Sequence, residues 1–408
     1  MGYVHRLVEQ TLLDALETFP IVMLTGPRQS GKTTTLKELL GNSYGYVSLD
    51  ELDLRALAIE DPRSFLESYP PPSIIDEIQN APQLLPYIKA DADRNRQPGR
   101  WVMTGSQQFS SMRNVSESLA GRVAVLTLYP LSLDEMKGEL HLERSSSKSY
   151  IEYLLSPKDG ALNCPTVGEW LLNGGYPELF VNKRVIKRLW FSSYLQTYID
   201  RDVRGNVKNA NLNDFERFVR LLAGRSGQEF NYSSISRQIG ISVPTVKSWI
   251  SFLEASSLIY LLYPYHKNYG KRITKSPKCY FMDTGLLSFL VGLQDEEHLL
   301  RGPMAGAIFE TACIMHFVKR FSSLMDPCSI FFHRSTDGHE VDLLIEIAED
   351  VFPIEIKLSS TLTPRHADGL KTWLSLAALE DSKGLIISTS NRECTLAKNI
   401  KNCCYSSL

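Results

Sequence analysis

Cysteine is scarce in this chain: seven residues, an odd number, scattered without C-x-x-C spacing. That argues against a disulfide framework or a zinc ribbon and for a reducing compartment. Long apolar runs are missing too; none approaches the ~20 residues a bilayer-spanning helix needs, so no membrane partner is expected. The opening stretch mixes His5, Arg6, Glu9 and Asp14 with apolar residues, which reads as an amphipathic helix rather than a signal peptide. The expected location is therefore cytoplasmic. Net charge is nearly absent as well, since 44 basic against 46 acidic residues leave −2. With no global attraction to nucleic acid, any such contact must come from local basic patches. What remains is ordinary: 43% apolar and 22% charged over 408 residues, enough for two or three domains with cores of their own.

The most informative stretch is Gly26-Pro27-Arg28-Gln29-Ser30-Gly31-Lys32-Thr33, followed by Thr34. It succeeds an apolar run, Ile21–Leu24, and precedes a helical pattern, Thr34–Leu40. A strand, a glycine-punctuated loop and a helix start form a phosphate cradle: the glycines let successive N–H groups turn inward, Lys32 reaches the outer phosphates, and the Thr33 hydroxyl faces magnesium. The helix N-terminus adds its partial positive charge. Residues Gly26 to Thr34 are the expected nucleotide-binding set.

Downstream, Ser73-Ile74-Ile75 ends in Asp76-Glu77. Behind such a loop, the first carboxylate holds magnesium and the second polarises the attacking water. Trp101–Thr104 is the next strand, and Thr104 and Ser106 are candidates to touch the γ-phosphate or the water. Arg122 closes a helical stretch; it either reaches a neighbouring subunit's phosphate or complements its own helix dipole. Strand–helix alternation over 21–128 predicts a parallel α/β sheet with the nucleotide at the carboxyl ends of its strands. The predicted divisions are an ATPase core over 1–136, a helical lid over 150–210, a winged helix over 211–290 and a nuclease-like α/β domain over 300–408.

In the third division, helices near 215–222, 233–239 and 243–253 precede two strands joined by a basic connection. Ile239, Val246, Ile250 and Leu253 are its expected core. A recognition helix offering Lys247, with Lys271, Arg272 and Lys275 on phosphates, is the DNA-contact reading; a protein contact is the alternative. In the fourth, Glu310 lies on a helix, Asp342 on a strand and Glu355-x-Lys357 on the next. Carboxylates followed by Glu-x-Lys suit a metal-dependent nuclease, with Asp342 and Glu355 on magnesium and Lys357 steadying charge, although alternating charges also decorate solvated strands.

Taken in order, Gly26–Thr35, Leu49-Asp50, Ile75–Gln79, Thr104-Gly105-Ser106, Leu119–Arg122 and Tyr129–Ser132 are joined by Gly174–Glu178, Asp283–Leu286, Glu340–Asp342 and Ile354–Lys357. This series resembles a prokaryotic family of AAA-type P-loop ATPases with a winged-helix middle and a restriction-endonuclease-like domain of unknown function at the C-terminus. The resemblance spans nearly the whole chain. It implies ATP and Mg2+ at Lys32, Thr33 and Asp76, hydrolysis through Glu77, and a sensor at Thr104 or Ser106. The lid shows no clear sensor arginine. Two functional readings stand: an ATPase that controls a DNA-associated module, or a nucleotide-gated switch that binds a protein partner and keeps the nuclease-like fold as inactive scaffold; the expected partners are ATP, DNA, and a protein partner or a homo-oligomer. A GTPase is disfavoured by the lack of an N-K-x-D motif.

Overall fold

The computed structural model describes residues 2–408 except 106–118, 139–145, 157–163, 205–210, 267–275, 336, 380 and 393, and the side chains of residues 200 and 201. It forms two compact units. The first comprises Met1–Pro130 with Ala255–Ser257 and Ser322–Met325; the second comprises Leu131–Glu254, Leu258–Phe321 and Asp326–Leu408. Most of the predicted lid, middle and C-terminal segments thus fall in the second unit.

In the first unit, β1 (Ile21–Thr25), β2 (Gly45–Ser48), β3 (Ser73–Asp76), β4 (Trp101–Thr104) and β5 (Val123–Thr127) build a parallel sheet in the order β2-β3-β4-β1-β5. Side chains alternate along each strand. Ile21, Met23, Trp101 and Met103 pack into one apolar cluster; Val22, Leu24 and Val102 pack into another. Helices cover both clusters, so the strands read as continuous apolar runs. Strand β4 separates β1 from β3, and its register sets Leu24 beside Thr104 and Ile75 beside Met103. The carboxyl ends of these three strands therefore lie side by side.

The second unit contains helices Leu212–Ala223, Tyr232–Ile239 and Val243–Ala255, then the antiparallel pair β6 (Ile259–Leu262) and β7 (Lys278–Phe281). Val246, Ile250 and Leu253 are buried as expected. In the second helix the buried position is Ile235, with Ile239 only partly covered, so the helix turns its 235 face inward. The basic connection with Lys271, Arg272 and Lys275 lies outside the described residues. Helix Ala305–Leu324 follows, then the antiparallel run β8 (Ser329–Arg334), β9 (Glu340–Ile347) and β10 (Asp350–Lys357). Helix Asp368–Leu376 leads to β11 (Gly384–Ser388), parallel to β10. The helix, three-strand, helix, strand order is the one expected. Two further strands, β12 (Thr395–Ala397) and β13 (Ile400–Cys404), extend the sheet and were not anticipated.

Two of the motif runs turn out to meet. Gly174 adopts φ 64°, and a Cβ there would lie 2.2 Å from the Asp283 carboxylate, so the position requires glycine. Asp283 accepts from Gly175 N–H at 2.6 Å and caps helix Thr284–Leu290 through Leu286 N–H at 2.9 Å. These residues are architectural: one buried carboxylate ties a turn to a helix start.

Candidate nucleotide site and a carboxylate–lysine cluster

The loop after β1 is shaped by torsions that few residues tolerate. Gly26 has φ 145°, Gln29 62° and Gly31 97°. A Cβ on Gly26 would approach the Leu128 carbonyl oxygen to 2.2 Å. Helix Lys32–Leu40 starts directly after Gly31. Lys32 is buried, its ammonium donating to Gly26 O at 3.1 Å and Pro27 O at 3.0 Å. Ser30 is buried and its hydroxyl oxygen has no hydrogen-bond partner among the described residues. A cradle closed to side chains, with an unsatisfied hydroxyl and a lysine held on its rim, fits an anionic ligand.

Asp76, at the end of β3, gathers three hydroxyls. Thr33 Oγ1 stands 3.1 and 3.0 Å from its two oxygens. Tyr46 donates to Oδ2 at 2.8 Å, and Thr104 donates to Oδ1. Thr104 also accepts from the Glu77 N–H at 3.0 Å. Glu77 itself sits in the left-handed region, φ 58° and ψ 48°, an unusual state for a non-glycine residue that re-aims its side chain at the strand end. Gln79 donates to the Glu77 carboxylate. Thr33 beside the Asp76 carboxylate is a hard-oxygen pair of the type magnesium takes, so the residues fit the ion.

Of the predicted site residues, the structure brings Lys32, Thr33, Asp76, Glu77 and Thr104 to one sheet edge. Ser106 lies outside the described residues. Arg122 does not join them. It precedes Val123, which pairs with Ile21 at the opposite end of β1, and it ion-pairs with Asp93. Three contributors escaped sequence reading. Tyr46 stands on β2, where its hydroxyl is pushed above its ordinary range by burial and by the Asp76 carboxylate. Gln79 orients Glu77. Arg6 is buried and supports the loop from below, donating to Ser30 O at 2.8 Å and Tyr129 O at 2.6 Å. Nothing local marks Arg6, because its partners are backbone carbonyls distant in sequence.

A second constellation lies in the other unit. Asp342 accepts from Ile356 N–H at 2.8 Å. Lys357 stands 2.6 Å from Glu355 and 3.7 Å from Asp342. Lys278, the first residue of β7, pairs with Glu310 at 3.2 Å and with Glu340. Tyr280 donates to Glu310 at 2.5 Å. Burial first, and then the Asp342 charge, push Glu355 up to about 7 and raise Glu310 as well. The expected residues Glu310, Asp342, Glu355 and Lys357 are thus assembled, joined by Lys278 and Glu340. Nevertheless, among the described residues no three His, Cys, Asp or Glu side chains converge as a metal site. The carboxylates are spaced around two ammonium groups instead. Lys247 is exposed on its helix, 5.6 Å from the Tyr232 ring, and no described contact brings it to this cluster.

Comparison with known sequences gives three consecutive matches: an AAA domain over residues 18–137, a domain of unknown function (DUF8612) over 165–297 and another (DUF4143) over 305–407. Among solved structures, the Walker-type ATPase PABY2304 of Pyrococcus abyssi overlaps with a TM-score of 0.42 at 14% identity, covering 69% of this chain and 94% of that one. The signal transduction ATPase PH0952 of Pyrococcus horikoshii gives 0.27 at 15%, covering 78% and 48%. Overlaps this loose add nothing to the assignment. Among the described residues no helix is long and apolar enough to cross a membrane. The uncharacterized proteins Rv2008c of Mycobacterium tuberculosis and Mb2031c of Mycobacterium bovis are each 30% identical over 348 residues, 85% of this chain and 72% of theirs. With its P-loop, its acidic strand and its AAA match in register, this AAA-type P-loop ATPase belongs to the family of those two mycobacterial proteins.

Proposed function

We propose that the protein hydrolyses ATP with magnesium and uses the turnover to control a DNA-associated module in its second unit. The observation that carries the ATPase half is the junction of Thr33, Asp76, Thr104 and Glu77 at the carboxyl edge of β1, β4 and β3. Gly26 to Thr34 would hold the triphosphate by backbone amides, with Lys32 leaving its two carbonyls to neutralise the outer phosphates. Thr33 and Asp76 would hold magnesium, which when bound shields the charge of the phosphates. Glu77, aimed by its left-handed backbone and by Gln79, would orient and deprotonate the attacking water.

The control half rests on the winged-helix reading of residues 211–290 and the restriction-endonuclease-like reading of 300–408. Supporting it are the three-helix and hairpin order, the exposed Lys247, and the placement of Asp342, Glu355 and Lys357 on adjacent strands β9 and β10. The lysine-filled cluster favours the second reading, a nucleotide-gated switch whose nuclease-like fold is scaffold. ATP turnover by wild type, Lys32→Ala and Glu77→Gln, each with and without DNA, tests the proposal. Hydrolysis that survives Lys32→Ala refutes the ATPase half, and turnover and DNA affinity that ignore one another refute the control half.

A further inference from the structure

The second unit holds a cavity of about 510 Å³, separate from the carboxylate–lysine cluster. Leu172, Phe191 and Phe289 give it an apolar floor. Three cations, Lys187, Arg188 and Arg220, also line it, and no acid does. The floor is tightly packed. Phe191 is 2% exposed and stacks on Phe289 with ring centroids 5.8 Å apart. A Cβ on Gly285 would come within 2.8 Å of the Phe191 ring, so helices Lys187–Tyr198 and Thr284–Leu290 meet there in direct contact.

The cations do not serve their own helices. Lys187 and Arg188 open helix Lys187–Tyr198, whose first turn has no acid, and positive charge at that end opposes the helix dipole. From Lys183 to Ile199 the chain carries four cations and no acid, within a protein of net charge −2. Lys187 donates to a neutral partner, the side-chain oxygen of Asn173. Burial first, and then Lys183, hold its ammonium below the usual lysine range, and Glu296 and Glu169 only partly offset them. Arg188 has no hydrogen bond or ion pair among the described residues. Arg220 arrives from helix Leu212–Ala223, paired with Glu216 at 2.9 Å and lying 5.9 Å over the Phe289 ring. Among the described residues, two of the three cations thus line the cavity without a carboxylate partner.

We propose that this cavity binds a small organic anion, its phosphate or carboxylate head held by Lys187 and Arg188 and its apolar body resting on Phe191 and Phe289. The planar fork of an arginine takes two oxygens of either head. A concave, apolar-floored space with a few converging polar groups, within the roughly 300–1,000 Å³ range of ligand pockets, suits a small molecule. A nucleic-acid strand instead needs a groove that tracks its backbone.

The probe is 1-anilinonaphthalene-8-sulfonate, an apolar ring system with one anionic head, titrated by fluorescence into the full chain. N-phenyl-1-naphthylamine carries the same rings without the sulfonate. Wild type is compared with Lys187→Gln, Arg188→Gln and Ser192→Trp, the last inserting an indole from an exposed lining position. Far-UV circular dichroism and urea midpoints confirm that each variant is folded. The expected result is a saturable binding component that weakens about tenfold in each glutamine variant and disappears in Ser192→Trp. The neutral dye should bind that component at least about tenfold more weakly. Phenyl phosphate and 3-phenylpropionate should displace the probe, and the stronger competitor identifies the head. Equal affinity in wild type and both folded glutamine variants, or equal affinity for the two dyes, overturns the anion site. Binding that Ser192→Trp leaves unchanged, or no saturable binding to wild type, overturns the cavity as its location. Displacement by a single-stranded oligonucleotide but by neither small anion overturns the small-molecule reading in favour of a nucleic-acid surface.

Discussion

Thr104→Val removes one hydroxyl from a position with no solvent exposure and leaves nearly the same volume. Two bonds disappear: the donor to Asp76 and the acceptor that fixes the Glu77 N–H at 3.0 Å. A buried group left without its partner costs about 1–3 kcal/mol. The folded state should lose roughly that amount, measurable as a lower urea midpoint with an unchanged m-value. Catalysis should fall by more than binding, because Thr104 touches the Asp76 carboxylate and the Glu77 backbone, the pair proposed to act on magnesium and water, and no described bond joins it to the phosphate loop. If the same 1–3 kcal/mol appears in the transition state, kcat drops about 5- to 150-fold, with KM for ATP nearly unchanged. Thr104→Ser, which restores the hydroxyl, should recover most of it. Wild-type kcat in a folded Thr104→Val protein would refute the claim that this hydroxyl wires the acidic pair together.

Gly26→Ala places a methyl 2.2 Å from the Leu128 carbonyl at φ 145°, so the loop must move; ATP affinity by calorimetry should be lost while the far-UV spectrum is kept. Arg6→Met removes two backbone-directed bonds and should weaken ATP binding without altering the metal dependence of turnover. Chelation by EDTA should abolish hydrolysis, and Mg2+ should restore it. In the second unit Asp134 and Arg320 are both fully buried and paired, so Asp134→Ala strands a cation and should destabilise by about 3–5 kcal/mol in chemical denaturation. Glu355, raised to about 7 by burial and by Asp342 with Lys357 opposing, binds a proton in the folded chain at pH values where the unfolded chain has released it. Stability should therefore fall as pH rises from about 4.5 to about 7, and Glu355→Gln should flatten that slope.

Sequence alone made the P-loop and the acidic strand legible because their determinants are local. Gly26 to Thr33 encode their own backbone path, and the strand ending at Asp76-Glu77 carries its acids with it. The carboxylate strands of the second unit were legible for the same reason: Glu355 and Lys357 share a face through the two-residue period. Whatever depends on chain partners far apart was silent. Tyr46 reaches Asp76 only because β2 lies beside β3, and Arg6 reaches Ser30 and Tyr129 across 24 and 123 residues. The run Gly174–Glu178 stood in the sequence only as one of the motif runs; its partner, Asp283, is more than 100 residues away and is met only in the fold. Arg122 could be read either as reaching a neighbouring subunit's phosphate or as closing its own helix; the fold adds only that it lies at the end of its strand away from this chain's phosphate loop, paired with Asp93. Lys278 was one of the chain's many lysines until β7 placed it between Glu310 and Glu340. A side chain's type is written in the sequence, but its electrostatic meaning depends on which charges the tertiary fold brings within a few ångströms of it.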